Sequence, residues 1–197
     1  MCRSKINVAG GYMVVIETKR LILRTWGNND INDYYLINQD PKVVEFLLKT
    51  SSIEQAKEFI ENMNHQFHTY GYTLFAVEEK KSAKLIGFTG LNAPKWSAHF
   101  TPCVEIGWRL SSKFWGNGYA TEAAKAVLDY GFKKCALKEI LAWTVPANLR
   151  SIRVMEKIGM ERDIDSDFNH PDVPEGHELL KHILYRIRSN SSGLNHP

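Results

Sequence analysis

The sequence predicts an α/β (α+β) fold, in which one mixed, mostly antiparallel sheet of about six or seven strands carries helices on both faces. Apolar residues alternate along some short segments, as in strands, and recur every three or four residues along others, as in helices. The two kinds of segment follow the order β-α-α-β-β-β-α-β-α-β-β, without a repeat or a linker. We therefore expect a single domain over residues 12–188, a flexible tail over 1–11 and a disordered tail over 189–197.

The first part of the chain supplies one strand and two helices. "RLILRTW" (20–26) alternates as a strand does, and the segment 28–38 that follows has helical spacing and ends before a proline. The segment 51–70 is the next predicted helix, because its apolar residues recur at helical spacing. Ser51 and Glu54, three residues apart, match a capping box at its start.

From residue 72 onwards, strands dominate the pattern. The remaining predicted strands cover residues 72–80, 84–91, 103–110, 139–145, 160–165 and 179–187. A helix is predicted from the glycine turn at residue 118 to Lys133, and another from a cap at Asn148 to a stop at Gly159. The polar segment 166–177 joins the last two strands as a loop.

Composition excludes several classes of protein. With 197 residues, 44% of them hydrophobic and 24% charged, the chain is neither disordered nor fibrous. A net charge of +3 without a dominant Lys/Arg cluster argues against a nucleic-acid partner. No apolar run approaches the length of a membrane span, so no membrane association is expected. Cys2, Cys103 and Cys135 form no disulfide or metal pattern, which favours a reducing, cytoplasmic location.

The segment "WGNGYATEAAKAVLDYGF" (115–132) places two glycines directly before a strong helix former. The N-terminus of a helix attracts anions, and Gly116 and Gly118 would let phosphate oxygens approach the backbone amides. A Walker loop is absent, and a dinucleotide fingerprint fits poorly because Thr121 stands where that motif has Gly or Ala. On the glycines alone, an anion cradle and an ordinary turn are equally good interpretations.

The surrounding residues favour the cradle. Lys113-x-x-Gly116-x-Gly118-x-Ala120 resembles the Q/R-x-x-G-x-G/A acetyl-CoA signature of the GNAT superfamily of N-acetyltransferases, with Lys in place of Gln or Arg. "VEIGWRLSSKFWGNGYATEA" is similar to the RimJ/RimL-like branch, which includes ribosomal-protein N-terminal acetyltransferases. "ETKRLILRTW", "LIGFTGL", "NLRSIRVMEKIGM" and "HILYRI" follow in that branch's order, so the resemblance extends over about residues 16–188.

This resemblance implies a path for acetyl-CoA. The cofactor would bond to the backbone of residues 108–110 and place its pyrophosphate on the amides of residues 116–121. Its thioester would enter where this strand splays from the next, and a backbone N–H near residues 106–108 would serve the oxyanion. The predicted cofactor-binding residues are Trp108, Arg109, Leu110, Gly116, Asn117, Gly118, Tyr119, Ala120, Thr121 and Asn148.

Two residues are candidates for proton transfer. Glu105 matches the strand position at which several enzymes of the superfamily place a catalytic glutamate, and a half-buried carboxylate suits a general base. The alternative is a glutamate on a solvated strand face or a partner of Arg109. Ser151 matches the serine that RimL-like enzymes use to protonate the leaving thiolate, although it could serve only the helix end. Asn148 could cap the helix that follows it. The resemblance implies that it could also contact the pantetheine arm of CoA.

Other reactive residues have plainer interpretations. Tyr185 reads as a packed strand residue, and Cys103 as a small core residue without an activating neighbour. His170 and His177 share a loop with acidic residues, but their spacing matches no standard metal site, so no metal is predicted. Aromatic residues in segments that flank the acceptor side in this fold could line it: Trp26, Tyr34, Phe46, Trp96, His99 and Phe100.

The sequence therefore predicts an N-acetyltransferase that moves an acetyl group from acetyl-CoA directly to a primary amine. The acceptor would be a protein N-terminus or a small molecule, and the enzyme a monomer or a homodimer. A CoA-binding sensor or scaffold without turnover is the alternative, and a dinucleotide-binding domain is a weaker one.

Overall fold

A computed structural model describes residues 5–7, 11–48 and 51–189. Within these residues the strands are β1 (Lys5–Asn7), β2 (Tyr12–Glu17), β3 (Leu21–Arg24), β4 (Leu74–Glu79), β5 (Lys84–Asn92), β6 (Glu105–Leu110), β7 (Glu139–Thr144), β8 (Glu161–Asn169) and β9 (Lys181–Arg188). The α-helices are α1 (Asp30–Ile37), α2 (Pro41–Val44), α3 (Ile53–Tyr70), α4 (Tyr119–Lys133) and α5 (Leu149–Lys157), and a 3₁₀ turn covers Ser112–Phe114.

The strands form one sheet in the order β1-β2-β3-β4-β5-β6-β7-β9-β8. All neighbouring pairs are antiparallel except β6 and β7, so the mixed, mostly antiparallel α/β class is confirmed. The described part of the chain has nine strands, more than the six or seven expected. The surplus lies at the N-terminus, where β1 and β2 pair with each other and β2 extends the sheet beyond β3.

The two expected tails are only partly visible. Residues 5–7 of the N-terminal segment form β1 instead of a loose tail, while residues 1–4 and 8–10 lie outside the described residues. At the other end, the Ser189 amide donates a 2.9 Å hydrogen bond to the Lys138 carbonyl, so the ordered fold includes this residue. Residues 190–197 lie outside the described residues.

Helices cover both faces of the sheet, and each face has its own core. On one face, α4 and α5 bury Ala123, Ala124, Val127 and Met155 in the larger hydrophobic cluster. On the other face, α1 and α3 bury a smaller cluster that includes Trp26, Tyr34, Ala56, Ile60 and Phe88. This division follows from the amphipathic spacing in these helices, since each must bury one apolar stripe.

The start of α3 differs by one residue from the predicted cap. Ser52 is the N-cap, and its hydroxyl accepts from the Gln55 amide at 3.2 Å while the Gln55 side chain accepts from the Ser52 amide at 2.9 Å. The capping box therefore uses Ser52 and Gln55, not Ser51 and Glu54. Two adjacent serines each have a suitable partner three residues later, so the local pattern alone fits both registers.

Strands β6 and β7 are joined at only one end. The Cα pairing of Glu105 with Leu141 is their register contact, and the Leu141 amide donates to the Val104 carbonyl at 2.9 Å. Within the described sheet no further β6–β7 pair follows, so the two strands diverge. This divergence opens a cleft in the middle of the sheet and exposes one backbone edge of β6.

Candidate active site

The cleft between β6 and β7 has a volume of about 590 Å³. Its walls come from α2, β6, the glycine turn, the first turn of α4, β7 and the start of α5. Eleven of the twelve predicted site residues line it: Glu105, Trp108, Arg109, Leu110, Gly116, Gly118, Tyr119, Ala120, Thr121, Asn148 and Ser151. The fold thus brings the two catalytic candidates and the cofactor candidates to one place.

The glycine turn has a backbone that requires glycine. Gly116 and Gly118 have φ angles of +78° and +76°, a region that other residues avoid because of steric strain. Gly118 is the N-cap of α4, and no side chain caps this helix. Since the first amides of a helix have no intrahelical acceptor and the dipole is positive at this end, the turn is suited to bind an anion.

Asn117 is the predicted residue that does not line the cleft. Its side chain is exposed and donates to the carbonyls of Phe114 at 3.1 Å and Trp115 at 3.2 Å. Its own carbonyl accepts from the Arg20 guanidinium at 2.9 Å. In this structure the Asn117 side chain therefore shapes the turn instead of facing the cleft.

Arg20 holds the glycine turn from outside, and sequence reasoning missed it. Its Nε lies 2.6 Å from the Glu122 carboxylate, and its guanidinium stacks 4.5 Å from the centre of the Tyr119 ring. The same carboxylate also accepts from the Thr18 hydroxyl at 2.6 Å. The β2–β3 connection is therefore fixed against the start of α4. No local pattern could reveal this contact, because the partners are about a hundred residues apart.

Glu105 lies half-buried at the point where β6 and β7 part. Its carboxylate accepts a 2.8 Å hydrogen bond from the Asn92 side chain, which is its partner across the β5–β6 ladder. Burial raises the pKa of Glu105 to about 7, and the hydrogen bond from Asn92 opposes this rise only in part. A carboxyl with this pKa is partly ionised near neutrality and can both accept and release a proton. Asn92 is a second site residue that sequence reasoning missed.

Asn148 caps α5, and Ser151 lies in the first turn of that helix beside it. The Asn148 side-chain oxygen accepts from the Ser151 amide at 3.2 Å and so caps α5. Its amide group donates to the hydroxyls of Ser151 and Thr144, each at 3.1 Å. Since the Ser151 hydroxyl accepts here, its own proton remains available to a group in the cleft.

On β6, three neighbouring residues meet the cleft differently. Trp108 is half-buried and packs partly on the larger core, so its backbone and not its ring is the predicted contact. The Leu110 carbonyl accepts from the Trp115 indole at 2.8 Å, which leaves this carbonyl engaged in the present structure. The Arg109 side chain lies on the opposite face of β6 from Leu110, towards α1, where it donates to the Asn38 side chain at 2.6 Å.

Cys103 and Tyr185 lie outside the cleft. Burial raises the pKa of the Cys103 thiol to about 11, so this group stays protonated at neutral pH and is a poor nucleophile. Cys103 lines a separate cavity of about 410 Å³. Tyr185 is buried in the larger core, and burial raises the pKa of its phenol.

The segment 166–177 is not wholly a loop, since β8 continues to Asn169. The His170 ring lies 5.0 Å from the His182 ring and not beside His177 in a ligand set. Within the described residues, no group of three or more His, Cys, Asp or Glu side chains is arranged to hold a metal ion.

The aromatic candidates for the acceptor side divide into three groups. Trp26 and Tyr34 belong to the core under α1 and α3. Trp96 and His99 each pack edge to face with Phe100, and Phe100 contacts the aromatic side chains Trp143 and Phe168 near the ends of β7 and β8. Phe46, which follows α2, lines the cleft.

In the part of the chain that the structure describes, no helix is long and apolar enough to cross a membrane.

Comparison with known proteins decides the family. A family model described as "Acetyltransferase (GNAT) domain" matches residues 20–161. The chain belongs to the GNAT acetyltransferase family. It is accordingly an acetyl-CoA-dependent N-acetyltransferase, with acetyl-CoA as its co-substrate, and the cleft described above is its candidate active site.

Relatives and solved structures agree with this assignment. An uncharacterized N-acetyltransferase, YnaD of Bacillus subtilis (strain 168), is 33% identical over 173 residues, which are 87% of this chain and 95% of that protein. A GNAT-family acetyltransferase structure from Bacillus anthracis superposes with a TM-score of 0.71 at 30% identity and covers 88% of this chain and 97% of that one. A ribosomal-protein-S5-alanine acetyltransferase from Vibrio fischeri shares the fold (TM-score 0.72, 20% identity, 89% and 96% covered).

Proposed function

We propose that this GNAT enzyme transfers the acetyl group directly to a primary amine, with Glu105 as the general base. The observation that carries the proposal is the position of Glu105: a half-buried carboxyl with a pKa of about 7, at the fork of β6 and β7 and in the same cleft as the glycine turn. An ammonium group does not attack a carbonyl, so a base must first remove its proton.

The residues of the cleft suit the steps of this reaction. Glu105 would take the amine proton, directly or through water, and a backbone N–H near residues 106–108 would stabilise the oxyanion that attack produces. Ser151 would then protonate the leaving thiolate, since its hydroxyl accepts from Asn148 and keeps its own proton free to donate. The amides at residues 116–121 would hold the pyrophosphate on the positive end of α4.

We propose that the acceptor is either a protein N-terminal amine, as in the RimJ/RimL-like branch, or a small-molecule amine. The Vibrio fischeri neighbour is named for acting on a ribosomal protein, which supports the first class, but at 20% identity it shows the fold alone. We keep the cytoplasm as the proposed location, because Cys103 and Cys135 are both free thiols. We propose that the enzyme is a monomer or a homodimer.

The test is an acetylation screen of a panel of primary amines with wild-type enzyme and with Glu105→Gln. Glutamine keeps the shape and a hydrogen-bonding oxygen but cannot take a proton at neutral pH. We expect acetyl transfer to fall by about 10²–10⁴-fold, the usual contribution of a general base. Calorimetric titration of both proteins with acetyl-CoA should give similar affinities, because Glu105 makes no predicted contact with the cofactor.

Glu161→Gln is the matched control, since Glu161 is an exposed carboxylate on β8 away from the cleft. It should leave the rate unchanged. Acetyl transfer that survives Glu105→Gln at the wild-type rate would remove Glu105 from the mechanism. Acetyl-CoA binding without transfer to any amine in the panel would instead support the alternative of a CoA-binding module.

A further inference from the structure

Arg109 has an unusual environment for a half-buried cation. Its Nη1 donates to the Asn38 Oδ1 at 2.6 Å, and its guanidinium lies 5.3 Å from the centre of the Phe88 ring. Within the described residues, no carboxylate lies within salt-bridge distance of it. The phenol of Tyr34 also interacts with the Arg109 charge. A guanidinium has five N–H donors, and the bond to the Asn38 amide uses one of them.

Arg24 shows how the same chain stabilises a buried arginine that serves the structure. Its guanidinium contacts Asp30 at 2.7 Å and Glu78 at 3.0 Å, and all three side chains are almost fully enclosed. These partners raise the pKa of Arg24, whereas burial lowers the pKa of Arg109. A half-buried cation without an internal anion can pair with an anion of a bound molecule.

The neutral partner of Arg109 is itself fixed. Asn38 is buried at the end of α1, and its side-chain amide donates to the Tyr34 carbonyl at 2.7 Å. This bond turns the Asn38 oxygen towards Arg109 and holds the guanidinium at the wall of the cleft. Such fixing reduces the conformational entropy that a ligand must remove when it binds.

The face of β6 on which Arg109 lies separates it from the cofactor cradle. Side chains alternate along a strand, so Glu105 and Arg109 share one face, which meets α1, while Ile106 and Leu110 face the core beneath α4. The Cα atoms of Glu105 and Arg109 are about 13 Å apart on a regular strand. A molecule whose amine lies near Glu105 could therefore place a second group beside Arg109.

We propose that the Arg109 side chain binds a carboxylate of the amine acceptor, so that this enzyme prefers acidic amines. The proposal rests on the acetyl transfer proposed above and adds the substrate class. The carboxylate could be the α-carboxylate of a free amino acid or an acidic side chain close to a peptide N-terminus. Guanidinium and carboxylate form a planar, two-bond pair that an ammonium group does not reproduce.

The experiment compares amines that differ only in this charge. Each free amino acid is compared with its amide. Each short peptide with Glu at the second position is compared with the same peptide carrying Gln there. For wild-type enzyme we expect kcat/KM to favour the acidic member of at least one pair by tenfold or more, mainly through KM. The pair that shows the preference identifies the source of the carboxylate.

Four variants, one of them a control, decide whether Arg109 causes the preference. Arg109→Gln should abolish the preference, while Arg109→Lys should restore only part of it. Lys125→Gln, which removes an exposed charge from α4 outside the cleft, should keep the preference. Asn38→Asp keeps Arg109 but gives it an internal carboxylate. It should therefore reduce kcat/KM for the acidic acceptor at least as strongly as Arg109→Gln does.

The outcomes separate this inference from the proposed function. Wild-type turnover of neutral amines without an acidic preference, or a preference that survives Arg109→Gln and Asn38→Asp, overturns the role of Arg109 and leaves the acetyltransferase mechanism intact. Failure of wild-type enzyme to acetylate any amine, despite binding acetyl-CoA, overturns both. If Arg109→Gln does not fold, Asn38→Asp and Arg109→Lys still decide the question.

Discussion

Burial of the ionised Glu105 carboxylate lowers the stability of the folded protein. At pH 8 the folded protein carries a desolvated carboxylate there, and its fixed hydrogen bond is the one from Asn92. In the unfolded chain the same group would be hydrated and would ionise near its ordinary pKa. Such a carboxyl persists where the surrounding fold is stable enough to tolerate it, which is common at catalytic sites.

We therefore predict that Glu105→Gln stabilises the protein at alkaline pH. The folded pKa, about 7, lies above the unfolded value, so the folded state binds more protons and loses stability as pH rises between the two. The free energy of unfolding of the variant should exceed that of wild type by about 1–3 kcal/mol at pH 8, after allowance for solvent screening at a half-buried site.

Urea unfolding at pH 8 and at pH 4 measures this difference. The advantage of the variant should shrink or vanish at pH 4, where the carboxyl is protonated in the folded state and largely protonated in the unfolded chain. Equal stability of the two proteins at pH 8 would show that Glu105 is well solvated and that its pKa is near the ordinary value.

At the scale of elements, the glycine turn was the part of the site that local sequence could predict. In the structure both glycines have a left-handed backbone, and no side chain caps α4. The first backbone amides of this helix are therefore free to bind an anion. The ion pair between Arg20 and Glu122 could not be predicted, because it depends on how the β2–β3 connection packs on α4. The one-residue shift of the α3 cap shows the same limit in a smaller form.

Gly116→Ala tests the turn. The φ of +78° makes alanine unfavourable by about 1–2 kcal/mol, and the added methyl group would project into open space where the pyrophosphate is expected. We predict a rise of at least tenfold in the Kd for acetyl-CoA, measured by calorimetry, in addition to a small loss of stability.

Gly71→Ala is a close control for backbone strain. Gly71 has a φ of +73°, equally open surroundings and a position at the end of α3, outside the cleft. It should show a similar loss of stability with unchanged affinity for acetyl-CoA. If both variants lose affinity equally, the effect of Gly116→Ala comes from strain and not from the cradle.

At the scale of the whole molecule, the active site depends on the fork between β6 and β7. Apart from the short α2, the order of strands and helices from β3 onwards could be predicted, and so could the strand that leads into the glycine turn, because periodicity and the glycine signature are local. The approach of α2 to the cleft, the pairing of Asn92 with Glu105 and the contact of Asn38 with Arg109 could not. Each of these joins segments that only the packed sheet and helices bring together.

The measurement that most directly tests the central claim is the pH dependence of kcat/KM for wild type and Glu105→Gln. It uses the best amine of the panel, with the ionisation of that amine titrated separately and divided out. A general base acts when it is deprotonated, so wild-type activity should rise with pH to a plateau, with a midpoint near the Glu105 pKa of about 7. Glu105→Gln should lose this rise along with most of its activity. A rise near pH 7 that persists in the variant at an undiminished rate would contradict the assignment of Glu105 as the base.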